Sequence, residues 1–265
     1  MEKFDKDYVC YWKDRVKNIS DGSKVADEDI IDFYVTKMEI SKNDKVLDLG
    51  CGFGRLYAII EKYTKNIIGI DTSDDPLKEA SKYPYLCLVK GSAENTHMAS
   101  HFFDKIIAWA VYDVVAQEKG LIEENRILMD NGLLLITGKN YDYHDDDRLA
   151  FIAERNAKLK KFPNHFTDVY KLIEKSYLFG FDVSEAYGFK KRGDFGQNNY
   201  IDILKENPTQ FYEYLLILKK IGEPGGESEQ IAHEYSATAT KMAKEHKFSD
   251  VLSFFEWHKT EFGEE

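Results

Sequence analysis

A short apolar run ending in an acid leads into three glycines at alternate positions: Val46-Leu-Asp48-Leu-Gly50-Cys51-Gly52-Phe-Gly54-Arg55. Glycines let the backbone approach a ligand closely, and a helix opening after them offers free N–H groups. Loops of this kind hold phosphates, dinucleotides or charged small molecules. A triphosphate loop ends in Gly-Lys-Ser/Thr, and Phe-Gly-Arg-Leu stands here instead. A dinucleotide loop wants its third glycine where Arg55 stands, and the larger side chain obstructs close packing of helix on strand. Asp48, inside the turn, would repel a pyrophosphate and attract an ammonium or sulfonium. The loop reads as a cradle for a cationic ligand.

A cradle needs a scaffold, and the sequence around it supplies one. Runs rich in Ile, Val and Leu predict short buried strands at 45–49, 66–70, 85–89, 105–110 and 133–137. Between them, 55–63, 75–83 and 118–129 carry apolar residues at helical spacing. Strands alternating with helices imply a parallel sheet covered on both faces. After Thr137 the rhythm breaks. Helices are expected at 149–160 and 166–179, and strands at 180–187 and 211–218. The segment 188–210 reads as a long connection of functional length. Gly222-Glu-Pro-Gly-Gly226 marks a hinge before two expected helices, 229–247 and 249–262. The second carries an apolar stripe suited to the domain surface or to a second copy of the chain.

Several motifs together resemble the class I S-adenosylmethionine-dependent methyltransferases. Asp48-Leu-Gly-Cys-Gly-Phe-Gly54 is similar to that family's first motif, acid-x-Gly-x-Gly-x-Gly. Ile67-Ile-Gly-Ile-Asp71-Thr72-Ser resembles its second, with Asp71 lying 21 residues beyond Gly50. Gly91-Ser92-Ala93-Glu94 resembles the turn after its third strand, and Phe103–Ala110 its fourth strand. Ile127–Ile136 resembles its fifth strand, with Asp130-Asn131-Gly132 where Pro-Gly-Gly is usual. The resemblance covers residues 25–140 by motif and 165–220 by rhythm.

It implies a Rossmann-like three-layer α/β sandwich with a mostly parallel seven-stranded sheet, insertions after strands five and six, and a C-terminal helical extension. It further implies S-adenosyl-L-methionine as methyl donor and S-adenosyl-L-homocysteine as product. Asp48, Gly50, Cys51 and Gly52 would meet the methionine portion, Asp48 lying near its ammonium. Asp71 and Thr72 would hold the ribose, Ser92, Ala93 and Glu94 would border the adenine, and Ala108 and Trp109 would floor the site. Tyr11, Trp12 and Arg15 would close over the donor from an N-terminal cap spanning 1–24. The donor-binding domain is expected over 1–220, with substrate-side insertions at 141–164 and 188–210, and the extension over 221–265.

Methyl transfer asks the protein to position an acceptor, exclude water and, for a hydroxyl, take up a proton. Acceptor-side candidates lie at the carboxyl ends of the fourth and fifth strands, where open α/β sheets bind ligands. They are Tyr112 and Asp113 after the fourth, with Lys139, Asn140, Tyr141, Asp142 and His144 after the fifth. His144 is the candidate base, because an imidazole titrates near working pH. Lys191 and Arg192 are candidates to pair with a phosphate or carboxylate of the substrate. No metal is expected, since the acids 142 and 145–146 read as a solvated run.

The chain has 265 residues, 43% of them hydrophobic, and a formal net charge of -11. An acidic balance argues against nucleic acid or an anionic membrane as partner. The amino-directed DNA methyltransferase motif is also missing, Ala108-Trp-Ala-Val-Tyr112 standing in its place. Three cysteines without paired spacing argue against a disulfide framework or zinc site. With no secretory segment or long apolar run, a cytoplasmic location is expected. The expected reaction is methylation of a small polar metabolite, at a hydroxyl or a phosphate or phosphoramidate oxygen of a sugar-like or surface-polysaccharide-related molecule. The alternative is a donor-binding partner without turnover. A homodimer through the C-terminal helices is the expected assembly.

Overall fold

The computed structural model describes residues 28–159, 164–197, 199–228, 231–238, 240–241, 245, 256–257 and 259–260. Its centre is a sheet built from β1 (Val46–Leu49), β2 (Ile67–Asp71), β3 (Cys87–Lys90), β4 (Phe103–Ala108) and β5 (Leu128–Lys139), all parallel. Apart from it stands β6 (Phe166–Thr167). The sheet continues with β7 (Phe181–Phe189), β8 (Ile201–Asp202) and β9 (Glu213–Lys220) in the order β3-β2-β1-β4-β5-β9-β7-β8. β9 is antiparallel to both β5 and β7, so its first residue lies beside the last residue of β5.

Side chains alternate across the sheet and build two cores. Leu47, Ile106, Leu134 and Leu216 point to one face, where α4 (Gln117–Ile127) and α6 (Val169–Lys175) bury Leu121, Ile127 and Leu172. Val46, Ile107, Leu135 and Leu215 point to the other, against Ile31 and Val35 of α1 (Glu28–Thr36) and Ile59 and Ile60 of α2 (Tyr57–Ile60). Burial on both faces explains why the strands read as unbroken apolar runs rather than alternating ones. The remaining helices are α3 (Asp74–Ala80), α5 (Arg148–Leu159), α7 (Ile203–Glu206) and α8 (Ala232–Tyr235).

The three-layer α/β architecture is the one expected, with an eighth strand where seven were read. The extra strand is β8, whose Ile201 and Asp202 pair with Gly188 and Tyr187 inside the segment expected to be a plain connection. The helix expected at 166–179 begins instead as β6, continues as α6 and ends in a 3₁₀ turn at Ser176–Phe179. The expected helix at 229–247 is also interrupted. Ser236 and Ala237 form β10, which pairs with β6 in a second, two-stranded sheet. Tyr235, just before it, is buried edge-on against Phe179 at 6.0 Å. The glycine-rich hinge is fastened to the body: Asn125 Nδ2 donates to Gly222 O at 2.9 Å and Gly225 N to Leu178 O at 2.8 Å. No helix of the described residues is long and apolar enough to cross a membrane.

Candidate functional site

The carboxyl ends of β1, β2 and β4 enclose a cavity of about 180 Å³. Its walls include Gly50, Cys51 and Gly52 from the loop after β1, Asp71 and Thr72 from β2 onward, and Ser92, Ala93 and Glu94 after β3. Trp109, Ala110 and Val111 close it from the end of β4. Gly50 and Gly52 hold φ of +70° and +51°, the left-handed region that favours glycine. A Cβ on Gly50 would stand 2.5 Å from Val111 Cγ2. The helix after the loop is shorter than expected, only Tyr57–Ile60, so turn backbone forms the cradle.

Asp71 ties the loops together. Its Oδ2 accepts the Gly52 N–H at 3.0 Å and its Oδ1 the Ser73 N–H at 2.9 Å. Burial raises its carboxyl above the usual range, and these backbone donors work against that rise. Glu94 accepts the Ala116 N–H at 2.9 Å and so fixes the start of α4 against the cavity rim.

Two of the expected donor contacts sit elsewhere. Asp48 is 1% exposed and absent from the cavity wall. Strand alternation turns Leu47 and Leu49 to one face and Asp48 to the other, where its Oδ2 accepts Tyr85 Oη at 2.7 Å. Its Oδ1 is buried without a hydrogen bond from the described residues, and burial pushes its carboxyl up to about 7. Ala108 is fully buried in the sheet, and Ala110 takes the place on the wall expected for it. Tyr11, Trp12 and Arg15 lie outside the described residues.

A second cavity of about 120 Å³ adjoins the first. Both are lined by Trp109 and Ala110. Ala110 has φ of +59°, uncommon for a residue with a side chain, and its N–H is held by Thr137 Oγ1 at 2.7 Å. The further walls are Asp113, Thr137, Gly138, Lys139, Phe195, Glu213 and Tyr214. Phe195 packs edge-on against Trp109 at 4.9 Å and on Phe189 at 4.4 Å.

The polar wall is a network of unequal partners. Lys139 Nζ lies 3.0 Å from Asp113 and 3.5 Å from Glu154, and donates to Asn164 Oδ1 at 2.7 Å. Burial opposes its charge, but the two carboxylates outweigh that and hold it protonated. Glu154 also accepts from Tyr212 Oη at 2.9 Å and from Asn164 Nδ2. Arg192 donates to Tyr212 Oη at 3.0 Å. Glu213, opposite Lys139 in the β5–β9 register, receives no hydrogen bond on its carboxylate from the described residues. Burial lifts that carboxyl to about 7, against the pull of Arg192 and Lys139 and with Asp113 and Asp147 adding to the rise.

Of the acceptor-side candidates, Asp113 and Lys139 stand on this wall and the others stand apart from it. Tyr112 is fully buried, its hydroxyl donating to Glu124 in the core. His144 is half-buried and outside both cavities, because the loop it sits on turns away after β5. Asn140 is a structural tie, donating to the carbonyls of Asp142 and Phe211 at 2.7 and 3.1 Å. Tyr141 packs beside Tyr143, Phe166 and Tyr212. Lys191 makes an exposed ion pair with Asp146 at 2.9 Å, and Arg192 lies over the Tyr212 ring. Sequence reasoning missed Glu213 and Ala110, and placed Phe195 only within the substrate-side insertion at 188–210. The available signal for Glu213 was a lone acid opening an otherwise apolar strand, Glu213-Tyr-Leu-Leu-Ile-Leu.

Comparison with known proteins bears on this site. Residues 47–136 match a family model described as a methyltransferase domain. The ubiquinone/menaquinone biosynthesis C-methyltransferase UbiE of Campylobacter jejuni is 32% identical over 111 residues, covering 38% of this chain and 47% of that protein. The match therefore spans about half the length of that curated relative. The uncharacterized protein MJ1252 of Methanocaldococcus jannaschii is 31% identical over 203 residues, 72% of this chain and 77% of that one. Among solved structures, a chain of the Haloferax volcanii complex containing the Trm112 methyltransferase activator superposes with a TM-score of 0.58. It is 16% identical and covers 84% of this chain and 99% of its own, a likeness of fold. The methyltransferase-domain match falls on the strands and loops that wall the first cavity, so residues 47–136 are similar to a methyltransferase domain at the place where this structure forms a ligand-sized site.

Proposed function

We propose that the protein transfers the methyl group of S-adenosyl-L-methionine to a neutral hydroxyl of a small molecule seated in the second cavity. The observation that carries this reading is the shared wall: Trp109 and Ala110 line both cavities, so a donor in one and an acceptor in the other would meet there. The first cavity fits the donor. Its side-chain-free loop at Gly50 and Gly52 leaves room for the methionine portion, and Asp71 offers a carboxylate that can accept ribose hydroxyls. Ser92, Ala93 and Glu94 would border the base. Bound there, the donor supplies an electrophilic methyl group on a sulfonium.

The chain's own residues then orient the acceptor and keep water out. Trp109, Phe195 and Tyr214 form the apolar side of the second cavity, while Asp113, Lys139 and Glu213 form the polar side. A phosphate acceptor would face the Asp113 and Glu213 carboxylates, and an amine acceptor, which must shed its proton to attack, would be held as an ammonium by the same carboxylates. A neutral hydroxyl avoids both conflicts, so oxygen methylation is favoured over the phosphate or phosphoramidate alternative. A sugar hydroxyl and a phenol both meet this description.

The test combines binding and turnover. Calorimetry should show donor and S-adenosyl-L-homocysteine binding, and methyl-labelled donor should yield an O-methylated product from the small-molecule fraction of pooled cell extracts. Donor binding without a labelled product from any extract would favour a donor-binding partner instead. Absence of donor binding would remove both readings.

A further inference from the structure

We infer that Glu213 is the catalytic base of this site, taking the proton of the acceptor hydroxyl as the methyl group arrives. The inference rests on the methyl-transfer reading above and adds the residue that completes it. Asp113 and Glu213 line the second cavity, Glu154 lies behind Lys139, and their bonding separates the three. Asp113 is neutralised by Lys139 at 3.0 Å. Glu154 is buried and saturated by Tyr212, Asn164 and Lys139. Glu213 alone stands on the cavity wall with no hydrogen bond to its carboxylate from the described residues.

Topology puts it there. β9 runs antiparallel to β5, so its first residue reaches the ligand-binding end of the sheet and pairs in register with Lys139. The charged groups that face it are Lys139 from β5, Asp113 after β4, Arg192 after β7 and Asp147 before α5. With its carboxyl held near 7 chiefly by burial, Glu213 can accept a proton near neutral pH and return it to solvent. The other sequence candidates lack this access: Tyr112 is buried against Glu124 and His144 is outside both cavities.

The step balances. A lone pair on the acceptor oxygen forms the O–CH3 bond while the C–S bond breaks, and the sulfur keeps that electron pair as a neutral thioether. The hydroxyl proton passes to the Glu213 carboxylate and then to solvent. Sulfonium and carboxylate are both neutralised, a change that a water-poor cavity favours.

Glu213→Gln keeps the size of the side chain and removes the base. Calorimetric donor affinity should stay within about twofold of wild type. Labelled-methyl transfer into the small-molecule fraction of the extract should fall by about 100-fold or more. The wild-type rate should rise to a plateau as pH climbs through about 7, and that limb should vanish in E213Q and return in part in Glu213→Asp. Transfer by E213Q at the wild-type rate, with the limb intact, overturns the assignment. So does a Glu213 carboxyl carbon that titrates in wild type, by NMR, in the ordinary glutamate range, a measurement that holds even if E213Q does not fold. Wild type that binds donor and labels nothing removes the methyl-transfer reading itself, a separate outcome.

Discussion

Gly50 is the residue on which the donor cradle turns, for two separate reasons. Its φ of +70° costs a side-chain-bearing residue about 1–2 kcal/mol, and a Cβ would meet Val111 Cγ2 at 2.5 Å. Gly50→Ala should therefore weaken donor binding by tenfold or more in calorimetry. Adding Val111→Ala should recover only the part due to the clash, since the backbone conformation is unchanged. Full recovery in the double variant would show that φ does not matter there. The glycines were legible because no other residue does their work. Asp48 was less so: an acid in the turn reads as a ligand contact, while strand alternation sends it behind the loop to Tyr85. Glu213, marked only as a lone acid opening an apolar strand, was missed for a different reason. Its place at the site exists only once β9 is known to run antiparallel, and periodicity carries no strand direction.

Elements with an apolar run of their own were the ones read well. β1, β2, β4 and β9 appear within about two residues of their expected spans, since Ile, Val and Leu are needed on both faces of a covered sheet. The failures share one cause. β6 and β10 are two residues each, and neither has a strand signature of its own; each exists because the other pairs with it across 69 residues of chain, Thr167 with Ser236. Helical spacing in the flanking sequence masks such a pair. Tyr235 shows that this small sheet is built into the body. Its ring is 1% exposed against Phe179, and its carbonyl accepts the Asp168 N–H at 2.7 Å. Tyr235→Ala should destabilise the protein by about 3–5 kcal/mol, as removal of a buried aromatic side chain does. Urea unfolding checks this, and a loss under about 1 kcal/mol would mean that the segment after Gly226 contributes little to the fold.

At the scale of the whole molecule, the folded chain binds protons that the unfolded chain releases. Burial raises the carboxyls of Asp48 and Glu213 to about 7 and that of Glu124 to about 8, well above the values the same groups have in water. A raised carboxyl favours folding while it stays protonated. Its contribution is full below the unfolded value and declines until pH passes the folded one. Between about pH 5 and 8 the native state thus holds more protons than the unfolded state, and stability falls as pH rises. His165 works the other way, because burial lowers its folded value and charging it in the unfolded chain costs stability only on the acid side of its ordinary range. Above that range the three carboxyls act unopposed by it. Glu124 is the cleanest probe, being fully buried beside Tyr112 and remote from both cavity walls. Glu124→Gln keeps an oxygen to accept from Tyr112 and cannot ionise. The urea midpoint of wild type should drop from pH 6 to pH 8, corresponding to about 1–3 kcal/mol, and the drop should be smaller in E124Q. Parallel curves for the two proteins would show that Glu124 enters the fold already ionised, with the Tyr112 hydrogen bond compensating its burial.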